Sequence, residues 1–417
     1  MIVLNGITWD HDRGLLPLLE TTKSFQKLHP DIEIHWKKRT LQEFGDFPVE
    51  ELAKKYDLLL IDHPFSGEAY EQNILIDFNQ YMNAEQMKIR EEQEIGSTHR
   101  CYNYKGRQLA LSVDASAMAS VYREDLLEKE NLALPDSFDG IIELAEKTGQ
   151  VAAPLCSTDI WCIFLSLGAA KCGKSFITWD GLAWEAAKWS IERIRDLYKA
   201  VIPESILYSP VQIMDRMSQE NTIVYAPFCF SYVNYAWRNR KYPLRFTTVP
   251  LWKEAKTECI LGGVGIAVSA DSKNIEAAVS YAEYVTRPDV QENEYFLSGG
   301  QPGQKNAWLS RRNNELTNNF FQSTFRTIAD AYVRPRFPGW NIFQEKSCTI
   351  INEDIRLGVG AEETVQKIQN IFHEYVHKEK GGGNNVSVSH SGEGEGNRLY
   401  HVSAPSAAQC DEPEVYG

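Results

Sequence analysis

Residues Tyr56–Ala69 read YDLLLIDHPFSGEA: four apolar residues, Leu58 to Ile61, run into Asp62 and His63, then a proline and a glycine. A short apolar run closed by turn formers is the pattern of a buried strand. Upstream lie a helical stretch near VEELAKKY and the strand IEIHWKKR. Before these comes a helix from about Leu15 to Leu28, with Leu16, Leu18, Leu19 and Phe25 broadly on one side, and the opening strand IVLNGITW. Strand, helix, strand, helix, strand in that order predicts a parallel sheet with helices on its faces. In such sheets the loops at the carboxyl ends of the strands line the binding crevice, and TWDHDRG and DHPFSGE are such loops.

A chain of 417 residues is too long for one simple core and predicts two lobes, or three. Hydrophobic residues at 43% and charged residues at 24% are those of an ordinary globular protein. A formal charge of −14 argues against nucleic acid or an anionic membrane as partner, since both reward clustered Lys and Arg. No run approaches the roughly 18 apolar residues of a membrane span. MIVLNGITW lacks the basic leader, apolar core and cleavage site of an export signal, so the sequence as it stands is expected in the cytosol, or outside it if a leader has been removed. The eight cysteines show no C-x-x-C pairing, and Cys162 and Cys229 sit in apolar runs, which fits reduced thiols.

After Leu111 the chain enters a second unit. MASVYREDLLEKENLALPDSFDGIIELAEKTG reads as strand, short helix, proline turn and a helix capped by Ser137 or Asp139. Long helices follow around WEAAKWSIERIRDLYKAV, then a glycine-rich strand and helix in LGGVGIAVSADSKNIEAAVSYAEYV. A last helix is expected from about Ala361 to Lys380, and residues 381–417, polar and rich in glycine and serine, as a disordered tail.

Three phrases, YKGRQLALSVDASAMASVYREDLLEKENLALPDSFDGIIELA, LGGVGIAVSADSKNIEAAVSYAEYVTRPDVQ and VRPRFPGWNIF, resemble the bacterial extracellular solute-binding proteins (family 1) of ABC transporters, mostly carbohydrate binders. In the first phrase Arg123 and Asp125-Leu126-Leu127 stand where a family helix starts, and Ser137-Phe138 replaces its usual Thr-Trp. The resemblance extends over residues 1–378. It implies the α/β periplasmic-binding-protein type II fold: two lobes, each a mixed, mostly parallel sheet flanked by helices, with the ligand between them. Residues 1–112 and 265–317 would form one lobe and 113–264 and 318–380 the other. The chain would cross near Ser112–Asp114, Gly262–Gly265 and Thr317. The implied partners are a small polar solute and ABC permease subunits, with no cofactor or metal and a monomeric chain.

Several motifs compete with that reading. GAAKCGKS, Gly168–Ser175, matches the phosphate-loop pattern. A working loop needs a strand before it and a helix after, whereas TDIWCIFLSL before it reads as a helix. HEYVH, His373–His377, matches a zinc-helix pattern, yet no third ligand is near in sequence and a solvated face explains it. GGVG opens a strand, so Gly263 fits a hinge or a close backbone approach better than a dinucleotide loop.

The candidate site residues come from separate strand ends: Trp9, Asp10 and His11; Asp62 and His63; and Asp114 at a crossing. One reading has them hydrogen-bond a polar ligand and cap helices. The other has Asp10/His11 and Asp62/His63 perform acid–base chemistry or bind a metal in a cytosolic enzyme or sensor. Trp161, Tyr225, Phe228, Tyr232 and Trp340 lie in segments that the resemblance turns toward the cleft, where aromatic faces stack on sugars. Gln301, in Gly300-Gln301-Pro302, resembles a ligand-contacting loop of the family.

Overall fold

The computed structural model describes residues 1–40 and 49–376; the expected tail and His377 lie outside the described residues. Strand β1 (Ile2–Trp9) runs parallel to β2 (Ile32–Arg39) on one side and β3 (Leu58–Ile61) on the other. Helix α1 (Asp12–Leu28) joins β1 to β2 and starts earlier than its apolar pattern predicts. The cause is His11, whose Nδ1 accepts the Arg13 amide at 3.0 Å and caps the first turn. Leu18 and Phe25 are buried with Thr21 and Thr22, while Leu16 and Leu19 are 44% and 38% exposed. At 100° per residue the buried four form one stripe, and the other two leucines fall outside it.

Beyond the short helix α2 (Ser66–Gln72) comes the long strand β4 (Leu111–Tyr122). There follow α3 (Phe138–Thr148), capped by Ser137 through the Gly140 amide, then α4 (Ser157–Cys172) and α5 (Trp184–Ala200). Strands β5 (Tyr225–Phe230) and β6 (Arg245–Thr247) pair antiparallel with the far half of β4. Strand β7 (Glu258–Val268) returns to the first lobe, where its last residues pair with β3 and α6 (Ile275–Val285) follows. Strand β8 (Ala331–Tyr332) pairs with the start of β7, and α7 (Trp340–Leu357) and α8 (Ala361–Tyr375) complete the second lobe.

The strand order is β6-β4-β7-β3-β1-β2, so one sheet path threads both lobes. Strands β1, β2 and β3 are mutually parallel, as the helices connecting them require. Strand β4 pairs antiparallel with β5, β6 and β7, whereas β8 pairs parallel with β7. The second lobe's core, with Trp161, Phe164, Phe343 and Ile351, lies where α4, α5, α7 and α8 pack together. GAAKCGKS ends α4 and forms a short turn of helix; it does not open a helix, so its amides are not aimed at a phosphate. The seven described cysteines are all free thiols.

Between the lobes β4 and β7 pair antiparallel, with the register slipping between Val264 and Gly265. Gly263 has φ +99°, and a Cβ there would lie 2.5 Å from the Asp114 carbonyl oxygen. Only glycine meets both demands. Gly263→Ala is therefore expected to cost about 2 kcal/mol or more of stability, from positive φ and overlap together. Urea unfolding measures it, and an unchanged midpoint would show that the crossing tolerates a side chain.

Candidate functional site

Two groups of buried side chains gather the residues picked out from the sequence. The first is built on the turn from β1 into α1. Arg13 is buried, with Nε 2.8 Å and Nη2 2.5 Å from the two Asp114 carboxylate oxygens. Its Nη1 donates to the Ser231 carbonyl at 2.8 Å, and its Cζ lies 4.4 Å from the Tyr232 ring centre. His11 packs edge-on against the same tyrosine at 4.8 Å. Trp9 is buried with its indole against Gly14, where a Cβ would fall 2.5 Å from the ring. Gln301 joins this group as a bridge: its Nε2 donates to the Ala115 carbonyl at 2.7 Å, and its Oε1 accepts the Val233 amide at 2.8 Å.

The second group surrounds the end of β3. Asp62 accepts a charged hydrogen bond from Arg334, which is buried and reaches it from the second lobe. Arg336 donates to the carbonyls of Cys101 and Asn103 at 2.6 and 2.7 Å, and Asn341 to Glu68 at 3.3 Å. The His63–Phe65 turn packs on α7. On α7, Trp340, Gln344 and Ser347 follow the i, i+4, i+7 spacing of one helix face. Trp340 and Trp161 are buried with ring centres 6.1 Å apart, and Phe343 lies 5.3 Å from each.

Polar atoms here lack partners. Both His63 ring nitrogens, Ser66 Oγ, Ser347 Oγ, Gln344 Oε1 and the indole nitrogens of Trp161 and Trp340 are buried without a hydrogen bond. His63 Nδ1 does lie 3.1 Å from Asp62 Oδ1, but off the line a hydrogen bond needs. Buried polar atoms are normally paired, so this cluster of orphans on neighbouring elements is unusual.

Not every expected residue joins these groups. Asp10 instead turns outward to Lys38, 2.7 Å away and half exposed, so it does not orient His11. Its neighbour is drawn inward as the helix cap, and the chain alternates sides at the strand end. Tyr225 is a core residue of the second lobe with its hydroxyl on Ser120 at 2.7 Å, and Phe228 packs in the same core with φ +58°. Gly263 serves the crossing described above. His373 on α8 bonds Gln369 at 2.9 Å. Arg13, Arg334, Arg336 and Ser231 were not anticipated; the only signal was their place beside chosen residues, in WDHDRG, VRPRFPGW and FCFSY. Hollows of about 440 and 290 Å³ sharing Asp139 and Arg193 contain none of the residues of the two groups.

Charge is balanced locally throughout. Burial would raise the Asp62 carboxyl, but Arg334 and the nearby imidazole hold it at about 2. Burial raises Asp114 despite Arg13. Burial and the adjacent arginines lower His63 and His11 to about 4, so both imidazoles are neutral at pH 7. For His11 this agrees with Nδ1 accepting an amide, which a protonated ring cannot do. The exception is Asp159 on α4, raised by burial to about 7, with Cys156 Sγ donating to it at 3.1 Å.

A profile of the family described as bacterial extracellular solute-binding protein matches residues 9–292. No curated protein matches the sequence. Among solved structures, the maltose-bound MalE3 of T. maritima superposes with TM-score 0.76 at 18% identity, covering 89% of this chain and 98% of its own. An ABC transporter solute-binding protein of Thermotoga lettingae bound with α-D-tagatose gives 0.75 at 18%, covering 90% and 100%. One from Agrobacterium radiobacter in complex with ribitol gives 0.75 at 17%, covering 90% and 98%.

A histidine whose pKa drops on folding takes up its proton more readily when unfolded, so its stabilising effect is complete above 6.5 and lost as pH falls toward 4. His63→Gln should remove one such proton. Relative to wild type, the variant should gain about 1.4 kcal/mol of stability per pH unit on going down from pH 6.5 to 4. Urea unfolding at several pH values reads this; a pH-independent difference would mean that His63 is not held neutral.

Proposed function

The chain belongs to the bacterial extracellular solute-binding proteins, and on that premise we propose that it captures an uncharged, polyhydroxylated solute, a saccharide or polyol, in the gap between its lobes, as the receptor of an ABC-type transport system. The observation that carries this reading is the pairing of buried indoles with orphaned polar atoms around Trp161, Trp340, His63, Ser66, Gln344 and Ser347. Indole faces bury the apolar face of a sugar ring, and unpaired N–H and O–H groups meet its hydroxyls. Neutral imidazoles and arginines already committed to Asp62 and Asp114 leave little net charge to attract an ionic solute.

On this reading residues 1–112 and 265–317 move as one lobe against 113–264 and 318–376, swinging about the β4/β7 crossing and the chain near Thr317. The solute contacts come from the groups around Trp9, His11, Asp62, His63, Asp114, Tyr232 and Trp340. The chain acts as a monomer that presents its loaded form to a permease. That the solute-bound structures it resembles hold maltose, tagatose and ribitol agrees with this chemistry.

A panel of neutral saccharides and polyols should contain a compound that raises the melting temperature by a few degrees at about 100 times its Kd, as any ligand exclusive to the folded state does. Trp340→Phe keeps an aromatic ring but removes the indole N–H and should weaken that ligand about tenfold. An amino acid, phosphate or polyamine producing the shift, with no neutral compound doing so, would replace this reading.

A further inference from the structure

Asp159 is a buried acid that no cation serves. It stands in the first turn of α4 with 8% of its surface exposed. The other buried acids of this region, Asp114 and Asp62, are held by Arg13 and Arg334. Asp159 makes no ion pair among the described residues, and no lysine or arginine acts on its charge. Its hydrogen bond comes from the Cys156 thiol, a weak donor, at 3.1 Å from Oδ2. Oδ1 has no such bond among the described residues.

Its surroundings belong to both groups of side chains. The charge of Asp159 acts on Tyr232, whose ring covers Arg13, and on Cys162, which Asp62 and Arg334 also reach. It is felt at Cys229 of β5 as well. Trp161, two residues further along α4, is buried with an unpaired indole N–H. These neighbours are thiols, a phenol and an indole, and burial keeps Cys156, Cys162, Cys229 and Tyr232 protonated. Such company offers an ionised carboxylate no counter-charge, so burial raises Asp159 to about 7. Buried polar groups are normally matched, and an unmatched acid marks a functional site.

We propose that Asp159 binds the solute as a neutral carboxylic acid, donating the hydrogen on Oδ1 to an oxygen of a saccharide or polyol. The solute's class rests on the solute-binding reading; the unmatched acid does not. With the Cys156 thiol donating to Oδ2, that oxygen takes the carbonyl role and Oδ1 carries the proton. A bound solute displaces the last water from the acid and disfavours its ionised form further. Above pH 7 the empty protein must therefore take up a proton as it binds, and capture weakens as pH rises. His11 and His63, at about 4, are neutral throughout that range.

The test compares wild type with Asp159→Asn, which keeps a neutral donor and acceptor, and Asp159→Leu, which keeps neither. Without solute, the stability that the raised acid contributes is complete below 3.8 and lost as pH rises through 7. The unfolding equilibrium of wild type relative to Asp159→Asn should therefore drift toward unfolding by about tenfold per pH unit between pH 4 and 7. Isothermal titration calorimetry then reads binding at pH 6 and pH 8 with neutral probes, maltose, D-tagatose and ribitol among them. Wild type should bind about tenfold more weakly at pH 8 and take up a proton there. Asp159→Asn should bind equally at both values and close to wild type at pH 6, while Asp159→Leu should bind about tenfold more weakly than Asp159→Asn. Tighter binding by wild type at pH 8, or Asp159→Leu binding as Asp159→Asn does, would overturn the proposal, as would a ligand-free equilibrium without drift. Binding of no neutral probe by any of the three proteins would overturn it through the solute reading, and the ligand-free drift would still report whether the acid is unmatched.

Discussion

The structure depends on the antiparallel pairing of two long strands, Leu111–Tyr122 and Glu258–Val268, that pass from one lobe to the other. Each strand belongs to two environments: its pairing partners are Leu58–Ile61 at one end and Tyr225–Phe230, Arg245–Thr247 or Ala331–Tyr332 at the other. The slip in register at Val264/Gly265 and the positive φ of Gly263 fall between those ends. A pair of strands is stiff along its length and bends at such an irregularity. Asp114 lies at that point, and its carboxylate takes up the arginine that reaches from the first helix.

A second regularity follows from burial. Closing two lobes removes charges from water, at a cost that only paired and hydrogen-bonded ions recover. The buried Arg13 and Arg334 are each matched by a carboxylate, Asp114 and Asp62. Arg336 spends its hydrogen bonds on backbone carbonyls, and both histidines are neutral at physiological pH. What remains unpaired there is a set of buried aromatic and uncharged hydrogen-bonding groups. This balance, more than any single residue, argues for a solute without charge. It also weakens the acid–base reading, since Asp10 pairs with Lys38 and turns away from His11, and Asp62 is bound to Arg334 as well as lying beside His63.

The fold was legible because its first sixty residues carry strong period-2 and period-3.6 signals in strict alternation, and because the phrases beginning at Tyr104, Leu261 and Val333 resemble one family. Site positions were legible only as far as strand ends could be located. That logic put His11, Asp62 and His63 at strand ends and Asp114 at a crossing, but it could not say which way a side chain turns. Asp10 and His11 are adjacent, and a cap on the next helix draws one in while a surface lysine holds the other out. Tyr225 and Tyr232 look alike in sequence, yet one lies within a strand facing a core and the other past its end. The arginines escaped notice because their value lies in long-range pairing: Arg13 meets a residue 101 positions away and Arg334 one 272 positions away. No local pattern encodes such separations.

The proposed function requires an uncharged binding site between hinged halves. Native mass spectrometry after incubation with a mixture of neutral saccharides and polyols, amino acids and phosphorylated sugars tests it most directly. A one-to-one adduct drawn only from the neutral set, and diminished in Trp340→Phe, is the result expected here. An adduct drawn from the amino acids or phosphorylated sugars, or no adduct from the neutral set, would contradict it.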